Sequence, residues 1–142
     1  GPEAKQAPAI APRTEEEAMA TATQILSGET GAHMRDLFVA DVYHGSGRRA
    51  AVEGIDVGGK TGTAEKIVDG AYSDDHRLNS FVSAFPMYAP RYAMIVVIDE
   101  PQPAEDQRSA TAGLNAAPMT RQIIERVAPL LGIIPRADIA SQ

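Results

Sequence analysis

The chain has no cysteine and no tryptophan, and aromatic residues make up only 5% of it. Without a thiol it forms no disulfide, no Cys-ligated zinc site and no thiolate nucleophile. A cysteine-free chain is tolerated in any redox environment, so this absence does not assign a compartment. Long hydrophobic runs are missing too. The longest, Ala93 to Ile98, falls far short of the ~20 residues a membrane helix needs. No signal-peptide pattern is legible. Positive charge is scarce: Lys and Arg number 13 against 19 Asp and Glu, a formal net charge of −6. No basic field exists to hold a phosphate backbone, which excludes nucleic acid as an expected partner. What is present is a globular composition, 44% hydrophobic and 23% charged over 142 residues. That predicts one soluble, acidic domain able to bury a core.

Residues 1–24 are expected to be a flexible linker, with Pro2, Pro8 and Pro12 breaking any helix and Gly1-Pro2 resembling a tag-cleavage scar. Thr14 followed by Glu15, Glu16 and Glu17 would suit a capped helix start, but a solvated acidic segment is the expectation. Ser27 is a plausible N-cap, and Met34, Leu37, Phe38 and Val42 recur at helical spacing. The pattern predicts an amphipathic helix from about Gly28 to Tyr43 with a core-facing stripe, ended by Gly45-Ser46-Gly47. From Val57 to Ala64, glycine and β-branched residues predict a strand closely approached by something else. Asp69-Gly70 marks a hairpin turn. Asn79–Phe85 and Tyr92–Asp99 read as two strands joined through 86–91, and 104–109 as a polar loop. Beyond Ala110 the chain favours helix, starting or kinking at Pro118, with Ile123, Ile124, Val127, Leu130 and Leu131 on one face up to Gly132. The order predicts an α+β fold, a small antiparallel sheet packed by helices.

One motif misleads. Gly54 to Thr61 fits G-x-x-x-x-G-K-[ST], the phosphate loop of nucleotide hydrolases, and Ile95–Glu100 mimics the strand and acidic pair that would hold magnesium. That loop must leave a buried strand and open a long helix. Here Arg48 to Glu53 make a poor buried strand, and Gly62 and the Asp69-Gly70 turn leave room for only a short helix. The context fails on both sides, so a nucleotide hydrolase is the least favoured reading.

Read as a strand, Lys60-Thr61-Gly62-Thr63 is a K-T-G motif of the kind found in penicillin-binding proteins and serine β-lactamases. The match is wider than three letters. It takes in Gly45-Ser46-Gly47-Arg48-Arg49-Ala50, Val57 through Lys66, Ser80-Phe81-Val82, Ala84-Phe85-Pro86, Pro90 to Ala93, Val97 to Pro101 and Ala110 to Pro118. From about Ile25 to Ile133 the chain resembles class B penicillin-binding proteins, and most of all the division-specific transpeptidases of α-proteobacteria. Strand alternation puts Thr61 and Thr63 on one face and Lys60 on the other. The two hydroxyls then suit a carboxylate, such as that of a D-Ala-D-Ala stem peptide or a β-lactam. Gly62 lets the acyl group lie against the strand. The resemblance implies that the Thr63 backbone N–H forms half of the oxyanion hole, a donor typically worth ~2.7–4 kcal/mol. It also implies that Lys60 supplies charge beside the nucleophile's proton relay.

The family's S-x-x-K nucleophile and S-x-N motif are not in these residues, since no serine has Lys three or Asn two positions later. The expectation is therefore residues 25–142 as the C-terminal portion of a transpeptidase domain, without a nucleophile and inactive alone. The resemblance further implies septal peptidoglycan cross-linking, division-protein partners and a periplasmic domain anchored in the bacterial inner membrane. No cofactor or metal is expected, and the isolated chain is expected to self-associate. The alternative is a non-catalytic module that binds carboxylates or a protein. Assigned no chemistry are His33, His44 and His76, the solvated loop pair Asp74-Asp75, the strand terminus Asp99-Glu100, exposed Arg48-Arg49, and Asn115, read as capping or packing.

Overall fold

Three strands follow one another in the chain: β1 (Gly58–Val68), β2 (Ala71–Phe85) and β3 (Tyr92–Asp99). They form an antiparallel sheet in the order β1-β2-β3. The structure, a computed structural model, describes residues 14–103 and 110–139, with only the backbone of Asp74 and Asp75. The opening Gly1-Pro2 and the expected loop 104–109 lie outside the described residues. The β1–β2 hairpin closes through Asp69 (φ 52°) and Gly70 (φ 82°), the left-handed pair that a tight hairpin of native twist requires.

β2 is longer than the sequence suggests, beginning at Ala71 instead of Asn79. Glu65 pairs with Arg77 but Lys66 with Ser73, so 74–76 have no partner on β1. Asp74-Asp75 thus sit in a strand bulge and not in a loop, because the hairpin register carries a polar stretch into the ladder. The strand terminus Asp99-Glu100 also does more than end β3. The Lys66 ammonium pairs with the Asp99 carboxylate and, at 2.9 Å, with Glu100 Oε1, reaching across β2. Those two carboxylates, Asp99 first, raise the lysine's pKa.

The helices are α1 (Glu15–Thr21), α2 (Gly28–His44) and α3 (Ala116–Val127), with a single 3-10 turn at Arg48–Ala50. α1 overturns the expectation of an unstructured acidic stretch there. Thr14 Oγ1 accepts from the Glu17 N–H at 3.2 Å while the Glu17 carboxylate accepts from the Thr14 N–H, a reciprocal cap that closes the first turn. None of its residues is buried. α2 runs close to its expected bounds, yet its apolar stripe is not core. Only Val42 is buried, and Leu37 is 63% exposed. Only the C-terminal end of α2 meets the interior, so the spacing was right and the burial was not.

α3 starts at Ala116, capped by Asn115, whose Oδ1 accepts from the Ala116 N–H at 2.6 Å. Pro118 falls in the first turn, where its missing N–H costs no helical hydrogen bond. The helix ends at Val127, short of Gly132, and leaves Leu130 exposed. Ile124 is fully buried and packs with Val42, Val57, Ala116 and Phe81 in one core, with Ile123 and Leu131 at its margin. The opposite face of the sheet presents Val82, Ile95 and Val97 to solvent, each at least half exposed.

Residues 136–139 return to the segment before β1. The Gly54 N–H donates to the Ile139 carbonyl at 3.1 Å, and the Arg136 N–H to the Gly54 carbonyl at 2.8 Å. Gly54 has φ +75°, and a Cβ there would lie 2.6 Å from Pro135 Cβ. The Arg136 guanidinium lies over the Tyr88 ring at 4.8 Å. Asp56 shares this corner. Burial raises its carboxyl pKa, partly opposed by Arg136 and by the Tyr88 backbone N–H. A carboxyl whose folded pKa is raised destabilises the fold above that pKa and not below the unfolded one. Asp56→Asn is therefore expected to raise the melting temperature at pH 7, with the gain fading as the pH falls toward the ordinary carboxyl value. Melts of both proteins across that range check it.

Candidate functional site

β1 is an edge strand among the described residues, and the Lys60–Thr63 run lies extended along it. Across the ladder Thr61 faces Phe81 and then Val96, while Thr63 faces Asn79 and then Ile98. Both threonines therefore share the face that carries the core, and Lys60 starts on the other with Val82 and Ile95. The lysine does not stay there. Its flexible stem brings Nζ back to donate to Thr61 Oγ1 at 3.0 Å and to the Thr61 carbonyl at 3.2 Å. Two hydroxyls on one face, with an ammonium against one of them, are donors suited to a carboxylate.

The strand continues unbroken to Val68 after Thr61 and opens no helix. The phosphate-loop pattern thus lacks the helix N-terminus that its chemistry needs.

Glycines let β1 lie close to its neighbours. A Cβ on Gly59 would stand 2.5 Å from the Val82 carbonyl oxygen and 2.6 Å from Phe81 Cε1, and one on Gly58 2.8 Å from Met87. At Gly62 the added Cβ would lie 2.7 Å from Ser80 Oγ, on the face away from the two threonines. Gly62 thus relieves crowding within the sheet as well as leaving the edge bare.

Asn115 caps and packs as expected, while the placements of Ser46 and Asn79 were not legible in the sequence. Ser46, on the turn after α2, has its Oγ 2.6 Å from Thr61 Oγ1 and 3.2 Å from Asp41 Oδ1. Asn79 is fully buried behind Thr63, where its Nδ2 donates to the Ala110 carbonyl and, at 3.1 Å, to Asn115 Oδ1. One Asn pair thus ties β2 to the start of α3. The available signal was an asparagine inside an apolar strand and another before an alanine-rich helix. Two surface depressions flank the threonines. One is lined by Ser46, Arg48, Arg49 and Thr111, the other by Thr63, Glu65, Arg77 and Thr111. Arg48 and Arg49 are exposed, as expected. His76 Nδ1 lies 2.9 Å from Ser73 Oγ. Among the described residues, no three His, Asp or Glu side chains are placed to hold a metal.

The family described as "Penicillin binding protein transpeptidase domain" matches residues 5–125. The "Probable peptidoglycan D,D-transpeptidase FtsI" of Caulobacter vibrioides is 36% identical over 83% of this chain and 22% of that protein. Among solved structures, the transpeptidase domain of Burkholderia pseudomallei penicillin-binding protein 3 is 30% identical with a TM-score of 0.69, covering 80% of this chain and 34% of that one. Penicillin-binding protein 3 of Mycobacterium tuberculosis, solved in complex with ampicillin, is 26% identical with a TM-score of 0.68, covering 82% and 28%. This chain therefore spans less than a quarter of the Caulobacter relative's length. A family match over most of its residues, joined to the same α+β architecture, makes the chain a member of the penicillin-binding protein transpeptidase family.

Proposed function

We propose that residues 25–142 are the C-terminal portion of the transpeptidase domain of a serine-type peptidoglycan D,D-transpeptidase, with β1 as its substrate-binding strand. The observation that supports this most directly is the extended Lys60–Thr63 run on a sheet edge, with Thr61 and Thr63 on one face. In this reading the two hydroxyls bind the terminal carboxylate of a stem peptide or the ring carboxylate of a β-lactam. Gly62 leaves room for the acyl group, the Thr63 N–H stabilises the oxyanion, and Lys60 sits beside the proton relay. Ampicillin bound to the Mycobacterium tuberculosis relative supports the ligand class. The resemblance to FtsI supports a septal role, a periplasmic domain anchored in the inner membrane, and division proteins as partners. No helix among the described residues is long and apolar enough to cross a membrane.

Oriented donors without an acyl acceptor cannot form an acyl-enzyme. Incubated with fluorescent penicillin, this chain is expected to gain no covalent label, whereas the polypeptide that also carries S-x-x-K gains one per molecule. A stoichiometric mass shift on the 142-residue chain alone would overturn the reading. The bare apolar face around Val82, Ile95 and Val97 carries a second expectation. In gel filtration the isolated chain elutes ahead of its 15.0 kDa monomer position, because such faces associate when nothing covers them. A concentration-independent monomer peak would refute it.

A further inference from the structure

Ser46 lies outside the Lys60–Thr63 run, yet its hydroxyl touches the first threonine of that run. A hydroxyl has one proton to give, an ionised carboxylate only accepts and an ammonium only donates. The Ser46 proton therefore goes to Asp41 Oδ1 at 3.2 Å, and the proton in the 2.6 Å Ser46–Thr61 bond belongs to Thr61. Lys60 Nζ donates to Thr61 Oγ1 from the other side at 3.0 Å. Each of the two hydroxyl protons in the row Lys60, Thr61, Ser46, Asp41 thus has one assignment.

The Asp41 end is fixed by the backbone around it. A Cβ on Gly45 would collide with Asp41 Oδ1, and one on Gly47 would lie 2.6 Å from Oδ2. At Gly45 the Asp41 backbone also stands 2.9 Å from the added Cβ, so the turn packs closely around the carboxylate. Asp41 Oδ2 is buried and has no donor among the described residues, which leaves Ser46 as the carboxylate's one side-chain hydrogen bond.

We infer that Ser46, held by Asp41 while the site is free, is a positioning residue for carboxylate recognition, holding Thr61 Oγ1 toward the site. The inference rests on the reading of β1 as the substrate strand. When an anionic ligand arrives, the row turns by one rotor step. Thr61 gives its hydrogen bond to the ligand carboxylate, and Ser46 turns its own proton from Asp41 to Thr61, leaving Asp41 Oδ1, on the exposed side of this pair, to solvent. Thr61 then accepts from both Lys60 and Ser46, which polarises its O–H and strengthens the bond it donates.

The test uses the complete polypeptide that contains this chain and S-x-x-K, acylated by benzylpenicillin and by its methyl ester, which lacks the charge. Ser46→Ala is expected to slow acylation by benzylpenicillin about three- to tenfold, the weight of one hydrogen bond, and the ester less than twofold. Ser46→Thr keeps the hydroxyl and is expected to restore the rate. Ser46 is exposed, and an unchanged melting midpoint for Ser46→Ala shows that the fold is intact. An equal loss for both compounds, or no loss for either, overturns the inference. If the unsubstituted polypeptide is not acylated at all, the reading of β1 itself fails and takes this inference with it.

Discussion

Replacing Phe81 with alanine is expected to lower stability by about 3–5 kcal/mol, seen as a fall in the urea midpoint with an unchanged slope. Phe81 is fully buried in the middle of β2, between Thr61 of β1 and Val96 of β3. Its ring edge also lies under two glycines. A Cβ on Gly47 would be 3.0 Å from Phe81 Cε2, and one on Gly59 2.6 Å from Cε1. The ring therefore floors both the Ser46 turn and the start of the Lys60–Thr63 run. Its removal opens a cavity that neither backbone can fill without moving the donors. A loss below about 1 kcal/mol would mean that the site collapses freely, and the account of the floor would be wrong.

Gly59→Val acts from the opposite direction, by excess volume. Overpacking a closed site costs about 1–3 kcal/mol, and more where the obstructing atom cannot turn aside. Here the nearest atom is the Val82 carbonyl oxygen at 2.5 Å, part of the ladder partner's backbone. The strand must lift from β2 at the residue before Lys60. The expected result is a stability loss of at least the upper end of that range, about 3 kcal/mol. Amide exchange would also quicken in 58–62 while the β2–β3 ladder keeps its protection. Unchanged exchange in both ladders would show that β1 accommodates the side chain.

Much of this fold was legible in the sequence, and the reasons are physical. Asp69-Gly70 turns where both residues take positive φ, a demand few other pairs meet so easily. The glycines before Lys60 signalled a close approach, and the Phe81 ring and Met87 are what approach. Alternation placed Thr61 and Thr63 together because the period of a strand is fixed.

The misses have a common cause, since each depends on contacts between distant parts of the chain. Met34 and Leu37 had helical spacing, but periodicity reports a face and not whether another layer covers it. Lys60 begins on the expected face, yet a long stem with free rotamers carried its charge back to Thr61. Asp41 is a polar position near the end of α2, and its contact with Ser46 forms only once the turn after α2 folds back over it. Asp99 and Glu100 read as a polar terminus because Lys66 is far away in sequence and near only across the sheet.

The meander has a consequence for biosynthesis. Each ladder joins strands that are consecutive in the polypeptide, through short connections, so closing them sacrifices little chain entropy. As the protein leaves the ribosome, the ribbon bearing Lys60 to Thr63 zips early. Gly54 must wait for Arg136 and Ile139, which are translated last among the described residues. The edge strand β1 is thus assembled before the clasp that closes over the segment preceding it.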